Sequence, residues 1–381
     1  MSYIAVVGLG HMGLSAIEIL CRARPGATFL AVDRSERAVR AATALGDNVE
    51  GLVCDVTTES LDLSDVDIVL NLAGPFFAGS DHVARAALAS GSTYIDIGDD
   101  VEATETILGL DAAAREVGSA LVTGAGLSPG VSNWMAGRLL DEHPNADGIQ
   151  IAWTTREADP GGLAPLRHML HMAVTPCPVW IDGKWKQSAG FVPSTAAIFD
   201  FPEPLGPVET YDTSHPEPLT LTRHFTRLQY ASCKGALQPA WANSAFSTLG
   251  RIGFGYTDQK IEIDGVSIEP AEFLWKMLWA RHDRRPSAPR AQASAVLVQA
   301  LNGKEVVAAL AVADDGAMSR GTGLGAAAAV LTALEERPAP GAWGPEVLAW
   351  EQALPLFEKL ATDAGGFPEG VTSPGVEVVS S

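Results

Sequence analysis

The chain has 381 residues, of which 47% are hydrophobic and 19% charged, a composition that excludes a disordered chain and is normal for a packed enzyme. A formal charge of -20, from 46 acidic and 26 basic residues, repels phosphate backbones and anionic lipid, so we expect neither a nucleic-acid nor a membrane partner. The 4 cysteines are far apart, without a CxxC pair, and we expect neither a disulfide framework nor a metal site. Met1 leads directly into a strand-like segment, and we expect a cytoplasmic protein.

The first third of the chain alternates β-rich runs with helix-compatible runs, which is typical of a parallel sheet wound by crossover helices. The predicted strands are residues 3–7, 28–32, 51–53, 67–71, 93–97 and 120–123. The predicted helices are residues 12–24, 36–45, 82–90 and 102–117. We therefore predict a doubly wound α/β domain over residues 1–130.

The remaining length exceeds what one hydrophobic core usually serves, so the pattern predicts a second domain over residues 131–340. Its predicted elements are helices at 131–141 and 323–335 and strands at 149–155, 291–301 and 304–313, the last two joined at an Asn302-Gly303 turn. We interpret this part as a mixed sheet plus helices that binds substrate and forms a dimer contact. Residues 341–381 are predicted to form a helix, at 345–364, that returns to the first domain, followed by a mobile tail.

Gly8, Gly10 and Gly13 form a glycine fingerprint that directly follows the first predicted strand and opens the first predicted helix. In that context the first glycine permits a tight turn, the second lets the backbone approach a pyrophosphate, and the third lets the helix lie close to the sheet. His11 and Met12 occupy the variable positions of the same loop. The pattern predicts a dinucleotide site rather than an ordinary glycine turn.

Acidic and basic residues after the next two strands bear on which dinucleotide binds. Asp33 ends the second predicted strand, 20 residues after Gly13, where a carboxylate can accept hydrogen bonds from the ribose and so favours NAD. Arg34 can instead pair with a 2′-phosphate, so we predict NAD(P) with only a slight preference for NAD. Asp55 either reaches the adenine edge or caps a helix.

Ala73, Gly74, Pro75 and Phe76 follow the fourth predicted strand at its carboxyl end. Loops at this edge of a doubly wound sheet are the usual ligand sites. We therefore predict that the Gly-Pro turn approaches the nicotinamide ring, the alternative being a plain strand-to-helix loop.

Six motifs resemble, in order and spacing, the saccharopine dehydrogenase (saccharopine reductase) family. They are the glycine fingerprint and the segments 73–76, 94–100, 124–130, 215–221 and 322–324. The resemblance covers nearly the whole chain and implies an N-terminal Rossmann domain with a second α/β substrate domain. It also implies NAD(P)-linked imine reduction or secondary-amine oxidation of an amino-acid-derived or polyamine-derived substrate, and a homodimer.

The resemblance further implies that Gly126, Ser128 and Pro129 face the substrate. Many relatives carry an aspartate where Ser128 stands, so a substrate amine that this carboxylate contacts would be held less well here. We therefore expect a substrate other than saccharopine.

Three further groups are candidates for substrate contact or catalysis. Arg223 is predicted to bind a substrate carboxylate, unless it is solvated or salt-bridged, and His168 is predicted to line the pocket. Asp99 or His215 is predicted to manage the proton in the redox step. Two rival functions stay open, a primary amino-acid dehydrogenase that releases ammonia and a non-catalytic dinucleotide-binding sensor or scaffold.

Overall fold

The computed structural model describes residues 2–79, 81–156, 163–203, 205–257, 259–282, 294–314, 318–363 and 377–378. The strands, in chain order, are β1 (Tyr3–Val7), β2 (Thr28–Asp33), β3 (Val49–Val53), β4 (Ile68–Asn71), β5 (Thr93–Asp96), β6 (Ala120–Val122), β7 (Gly148–Arg156), β8 (Pro176–Ile181), β9 (Lys184–Ala189), β10 (Ala197–Phe201), β11 (Gly206–Asp212), β12 (Tyr230–Gln238), β13 (Ile261–Ile263), β14 (Val266–Ile268), β15 (Ser294–Asn302), β16 (Glu305–Asp314), β17 (Gly341–Trp343) and β18 (Glu377–Val378).

The helices are α1 (His11–Ala23), α2 (Glu36–Thr43), α3 (Asp81–Ser90), α4 (Val101–Leu108), α5 (Asp111–Val117), α6 (Val131–Glu142), α7 (Leu163–Met172), α8 (Glu217–His224), α9 (Trp241–Leu249), α10 (Pro270–His282), α11 (Met318–Glu335) and α12 (Trp350–Asp363). In the part of the chain that the structure describes, no helix has both the length and the apolarity to cross a lipid bilayer.

The N-terminal sheet is parallel throughout and has the strand order β17-β6-β5-β4-β1-β2-β3. Helices cover both of its faces, which is why β4 and β5 are wholly buried. The direction of winding reverses between β1 and β4, and ligands bind at the carboxyl ends of the strands at such a point. The predicted doubly wound Rossmann architecture is confirmed.

Two details of this sheet differ from the sequence prediction. The helix predicted over residues 102–117 is two helices, α4 and α5, because the chain turns at Gly109 and Leu110. The return of the C-terminal segment to the sheet is made by β17, not by the predicted helix at 345–364. A strand of three residues is too short to show an alternating pattern, so the sequence did not indicate it.

The helix α12 packs against α11 and α6 rather than on the Rossmann sheet. Its buried face includes Leu354, Phe357 and Leu360. Of the predicted mobile tail, β18 pairs with β16 at the edge of the second sheet. Residues 364–376 and 379–381 lie outside the described residues.

The second sheet is mixed, as predicted, with the strand order β10-β11-β12-β7-β15-β16-β18, and β8 pairs with β12 while β9 pairs with β8. The pair β12 and β7 is parallel, whereas β7 and β15 are antiparallel. The predicted Asn302-Gly303 hairpin joins β15 to β16, and Gly303 has a φ of 62°, which favours glycine. Residues 291–293 of the predicted strand lie outside the described residues.

The two sheets meet where α11 packs against α1 and against the loop after β6. A Cβ atom on Gly323 would lie 2.7 Å from the Ser15 Oγ, and one on Gly325 would lie 2.2 Å from the Gly126 carbonyl oxygen. These contacts leave no room for larger side chains on that face of α11. The close approach brings the carboxyl edge of the Rossmann sheet against the second sheet.

Candidate active site

The glycine loop after β1 has the geometry that a pyrophosphate requires. A Cβ atom on Gly8 would lie 2.4 Å from the Ala73 nitrogen, and one on Gly13 would lie 1.9 Å from the Gly8 carbonyl oxygen, so both positions are closed to side chains. A Cβ atom on Gly10 would meet nothing within 4 Å. Since Gly10 gives α1 no side-chain cap, the first N–H groups of the helix, from His11 onward, are free to bind an anion.

Asp33 connects the glycine loop to the turn after β2. Its Oδ2 accepts a hydrogen bond from the Leu9 N–H at 2.7 Å, and its Oδ1 accepts one from the Ser35 N–H at 2.7 Å. These two bonds hold the carboxylate at the end of β2, the position from which an adenosine ribose is bound in this fold. Arg34 next to it is exposed.

Asp55, two residues after β3, caps a turn and not the helix that was the alternative in the sequence analysis. Its Oδ1 accepts hydrogen bonds from the Thr57 N–H at 3.1 Å and from the Thr57 hydroxyl at 2.7 Å, and so it caps the short turn that follows. These bonds, together with nearby Arg34, lower the pKa of Asp55. A contact with adenine stays a prediction.

The loop after β4 is fastened at both ends. The Asn71 Oδ1 accepts a hydrogen bond from the Ala73 N–H at 3.0 Å, and the Phe77 N–H donates to the Asp100 Oδ2 at 3.0 Å. Between these bonds the predicted nicotinamide segment reaches the cavity between the two sheets with Gly74, Pro75 and Phe76.

The neighbouring loops after β5 and β6 are held together by a buried carboxylate. Asp96 Oδ1 accepts hydrogen bonds from the N–H groups of Gly98 at 2.8 Å and Gly124 at 2.9 Å. The second loop then turns sharply at Gly130, whose φ is 128° and whose Cβ atom would lie 2.0 Å from the Gly126 carbonyl oxygen. These constraints place both loops at the carboxyl edge of the sheet, beside the nicotinamide segment.

The cavity between the sheets has a volume of about 150 Å³. It brings together most of the residues predicted to bind substrate, bind the nicotinamide end of the cofactor or manage a proton. From those predictions the lining contains Met12, Gly74, Pro75, Phe76, Asp99, Gly126, Ser128, Pro129, His168 and His215.

A buried histidine and carboxylate form one wall of this cavity. The His168 Nδ1 lies 2.6 Å from the Asp100 Oδ1, and its Nε2 lies 3.6 Å from the Asp99 Oδ2. Burial alone would lower the pKa of His168, but Asp99 and Asp100 outweigh it and raise the pKa to about 9. His168 is therefore an imidazolium at neutral pH.

The two carboxylates of this wall differ in their surroundings. Asp100 is buried, but the attraction of His168 outweighs burial and lowers the pKa of Asp100. Asp99 has a side chain that is 30% exposed, into the cavity, and burial raises its pKa despite His168. Asp100 is thus the partner of the imidazolium, and Asp99 faces the cavity.

A second histidine and carboxylate lie next to the first. The His215 Nδ1 is 3.3 Å from the Glu217 Oε2, and the His215 and His168 ring centres are 5.5 Å apart. Burial would raise the pKa of Glu217, but His215 and a hydrogen bond from the Ser128 hydroxyl, at 2.5 Å, lower it. Ser128 therefore contacts a carboxylate at this point, supplied by α8.

Among the residues that the structure describes, two groups of side chains have the composition of metal ligands, Asp99 with Asp100 and His168, and His215 with Glu217 and Cys233. In the first group His168 carries a proton at neutral pH, and in the second burial raises the pKa of the Cys233 thiol well above its usual range. Metal ligation needs deprotonated ligands. We therefore interpret both groups as acid–base groups.

The structure does not bring Arg223 to this cavity, and its predicted role as a carboxylate ligand is wrong for this arrangement. Its Nη2 lies 3.4 Å from the Ala342 carbonyl oxygen and 3.7 Å from the Asp111 Oδ1. Because α8 advances about 1.5 Å per residue, Arg223 lies about 9 Å along the helix from Glu217. Its salt bridge is the alternative that the sequence analysis had left open.

Sequence reasoning did not assign a role to Asp100, Glu217 or Trp153. Asp100 adjoins a predicted catalytic residue, Glu217 follows His215 by two positions, and Trp153 ends up 5.4 Å from the His215 ring. The acidic residues stood in the quoted family motifs, so those motifs were the available signal. The partner of each acid was not visible in the sequence.

Residues 4–122 match the family model described as the saccharopine dehydrogenase NADP binding domain. The match covers the N-terminal domain. The resemblance predicted from the sequence motifs is thus confirmed over this domain, which is of the type that binds a nicotinamide dinucleotide. No curated protein matches the sequence.

One solved structure shows the same fold over the whole chain, and two others are more distantly similar. The apo saccharopine dehydrogenase (L-Glu forming) from Saccharomyces cerevisiae is similar with a TM-score of 0.65 and 15% identity over 100% of each chain. A myo-inositol dehydrogenase from Corynebacterium glutamicum has a TM-score of 0.41 and 14% identity, covering 95% of this chain and 97% of that one. GenD2 from gentamicin A biosynthesis, in complex with NAD, has a TM-score of 0.41 and 16% identity over 95% of each chain.

Replacing Gly10 with valine should weaken binding of NADH or NADPH by about 100-fold or more, because the new side chain would fill the open space that we assign to the pyrophosphate. Gly26 is also exposed with an open Cβ position, in the turn after α1, so Gly26→Val is the matched control and should bind normally. Isothermal titration calorimetry measures the affinity of both variants for NADH and NADPH. Normal affinity in Gly10→Val would remove this loop from the cofactor site.

The raised pKa of His168 predicts how stability depends on pH. Since the folded pKa, about 9, exceeds the ordinary value of 6.5, the stabilisation is complete below pH 6.5 and is lost as the pH rises through 9. It amounts to about 3 kcal/mol at most. In urea denaturation, the stability difference between the wild type and His168→Gln should shrink between pH 6.5 and pH 10.

His224 provides the control for this experiment, because burial lowers its pKa and it does not gain a proton on folding. The difference between the wild type and His224→Gln should not shrink over the same range. A constant difference for His168→Gln would show that His168 is not held as an imidazolium.

Proposed function

We propose that the protein is an NAD(P)-dependent oxidoreductase that acts on a carbon–nitrogen bond, by imine reduction or by oxidation of a secondary amine. The observation that carries this proposal is that one cavity contains both the cofactor loop and the acid–base groups. Met12 and the segment from Gly74 to Phe76 line its cofactor side, and Asp99, His168 and His215 line the other. The match of the N-terminal domain to the saccharopine dehydrogenase family supports the same reaction class.

The residues fit a nicotinamide dinucleotide, which supplies or accepts a hydride when it is bound. Gly10 and the start of α1 would hold its pyrophosphate and Asp33 its adenosine ribose. The segment from Gly74 to Phe76 would hold the nicotinamide end. The fit rests on the open position at Gly10 and on the uncapped N-terminus of α1.

The protein's own contribution to the reaction is to position the substrate nitrogen and to control its proton. A protonated imine is more electrophilic than a neutral one, and Asp99 stabilises such a cation where it faces the cavity. His215 lies beside His168, with 5.5 Å between the ring centres, so a proton can be exchanged with the substrate nitrogen by His215 or by Asp99. Apolar neighbours such as Met169 and Met172 keep water from the reacting atoms.

Wild-type protein mixed with amines, carbonyl compounds and NADH or NADPH should oxidise the cofactor, measured by its absorbance. Asp99→Asn and His215→Gln should each lower kcat by about 100-fold to 10,000-fold, because each removes a group that handles the proton, while cofactor affinity is retained. His224→Gln changes a histidine that does not line this cavity and should have normal activity.

Two results would replace this proposal with its rivals. Cofactor reduction by a primary amino acid alone, with release of ammonia, would establish an amino-acid dehydrogenase. Tight cofactor binding without turnover of any amine or imine would indicate a sensor or scaffold.

We also propose a slight preference for NAD, supported by the fixed position of the Asp33 carboxylate. Asp33→Ala should shift the ratio of NADH to NADPH affinity toward NADPH by about tenfold, since the carboxylate repels a 2′-phosphate and Arg34 attracts it. Arg34→Ala should shift the ratio in the opposite direction. Calorimetric titration with both cofactors measures the ratio, and a tenfold preference of the wild type for NADPH would contradict the assignment.

A further inference from the structure

We propose that this site selects imines in which neither carbon bonded to the nitrogen carries a carboxylate, and that Asp99 is the residue that imposes this selectivity. The inference rests on the proposed function and narrows its substrate class. The substrate would be an alkyl or arylalkyl amine, joined to an aldehyde as an iminium cation, rather than an amino acid joined to a 2-oxo acid.

The first argument is the charge of the cavity wall. Among the described residues that line the cavity, the charged or titratable side chains are Asp99, Asp100, His168 and His215. The His168 imidazolium is matched by Asp100, at 2.6 Å. The negative charge of Asp99 is left over, because one imidazolium lies between two carboxylates.

The second argument is the accessibility of that charge. Asp100 is buried and its side chain is 2% exposed, whereas the Asp99 side chain is 30% exposed and lines the cavity. Its oxygen lies 3.6 Å from the His168 Nε2, which is longer than a hydrogen bond. Asp99 therefore retains acceptor capacity for a ligand N–H group.

The charge of the cavity wall disfavours a substrate that carries a carboxylate. A carboxylate near His168 would be the third anion around one imidazolium and would face Asp99 directly. An ammonium or iminium cation at the same place would neutralise the wall. Arg223, the arginine that the sequence suggested for a carboxylate, lies outside the cavity beside Asp111.

The third argument is the character of the remaining wall. Between the loops and the second sheet the cavity is lined by large apolar side chains, among them Met12, Phe76, Trp153, Met169 and Met172. Such a wall accommodates a hydrocarbon chain and gives little compensation for a desolvated carboxylate. The nitrogen of an apolar amine would lie at Asp99, and its hydrocarbon part would lie against the apolar wall.

The reaction that follows from this assignment balances as a reductive amination. The amine and the aldehyde lose water and take up a proton to form the iminium ion. Hydride from NADH or NADPH, carrying two electrons, then reduces the iminium carbon and yields the secondary amine and the oxidised cofactor.

The test compares pairs of substrates that differ only by a carboxylate. The amines are 3-methylbutylamine against L-leucine and phenylethylamine against L-phenylalanine, and the carbonyl compounds are acetaldehyde against pyruvate. We expect kcat/KM for the amine with acetaldehyde to exceed that for the amino acid with pyruvate by about 30-fold or more, about 2 kcal/mol. Calorimetric titration of the cofactor-bound protein with each amine and amino acid gives the same comparison without turnover.

Asp99→Asn should reduce the selectivity for the amine by about tenfold in both assays, because it removes the charge that distinguishes the two. Glu102→Gln is the matched control, since Glu102 is an exposed acid on α4 that does not line the cavity, and its selectivity should equal that of the wild type. Asp99→Glu, which keeps the charge, should keep the preference for the amine.

The outcomes separate the two proposals. Turnover that favours the amino acid and pyruvate, or a preference for the amine that is undiminished in Asp99→Asn, would overturn the selectivity inference and leave the carbon–nitrogen reaction in place. Absence of any turnover, with amines bound more tightly than amino acids only when Asp99 is present, would overturn the proposed reaction and support the charge selectivity. Absence of both turnover and selective binding would overturn both.

Discussion

The close packing of α11 against α1 and the loop after β6 is the constraint on which the site depends. Gly323 and Gly325 allow the helix axis to come so near that an added Cβ atom would lie 2.7 Å from Ser15 or 2.2 Å from the Gly126 carbonyl oxygen. Glycine weakens a helix, and here the loss is offset by burial of Ala326 to Ala329, all fully enclosed. Without this approach the Rossmann edge and the second sheet would not enclose a common cavity.

Enclosing that cavity has an electrostatic consequence. Asp100, His168 and Glu217 are removed from water, and a buried charge is stable only when it is paired and hydrogen-bonded. The buried charges are paired across the two domains, since Asp100 belongs to the Rossmann domain and His168 lies on α7 of the second domain. The pairing fixes the relative position of the two walls at the point where substrate must lie.

The sequence predicted the features that depend on neighbouring residues, but not the contacts between residues that are far apart in the chain. The glycine fingerprint from Gly8 to Gly13 acts through neighbouring residues, and the first six strands of the Rossmann sheet lie in local β-rich runs, so both were recognised from the sequence, whereas the three-residue β17 was not. The contact of His168 with Asp100 joins residues 68 positions apart, and that of Ser128 with Glu217 joins residues 89 apart. No local sequence pattern indicates contacts between residues so far apart in the chain. Arg223 failed for the same reason, because its charge suggested a ligand while the direction of α8 carried it away from the cavity.

Behind Glu217 lies a second buried layer that explains why this carboxylate keeps its position. Asn133 donates a hydrogen bond to the Glu346 Oε1 at 2.6 Å, and Thr220, on the same helix as Glu217, donates to that oxygen at 2.8 Å. Burial raises the pKa of Glu346 to about 7, and the nearby Glu217 also raises it.

The two carboxylates therefore do not share the charge equally, because Glu217 has His215 and Ser128 to stabilise its anion. Glu346 follows β17 closely in the chain, so the strand that returns to the Rossmann sheet also anchors this layer. The same C-terminal segment thus completes the sheet that carries the cofactor loop and supports the wall that carries His215. A short strand that the sequence pattern did not reveal links the two halves of the site.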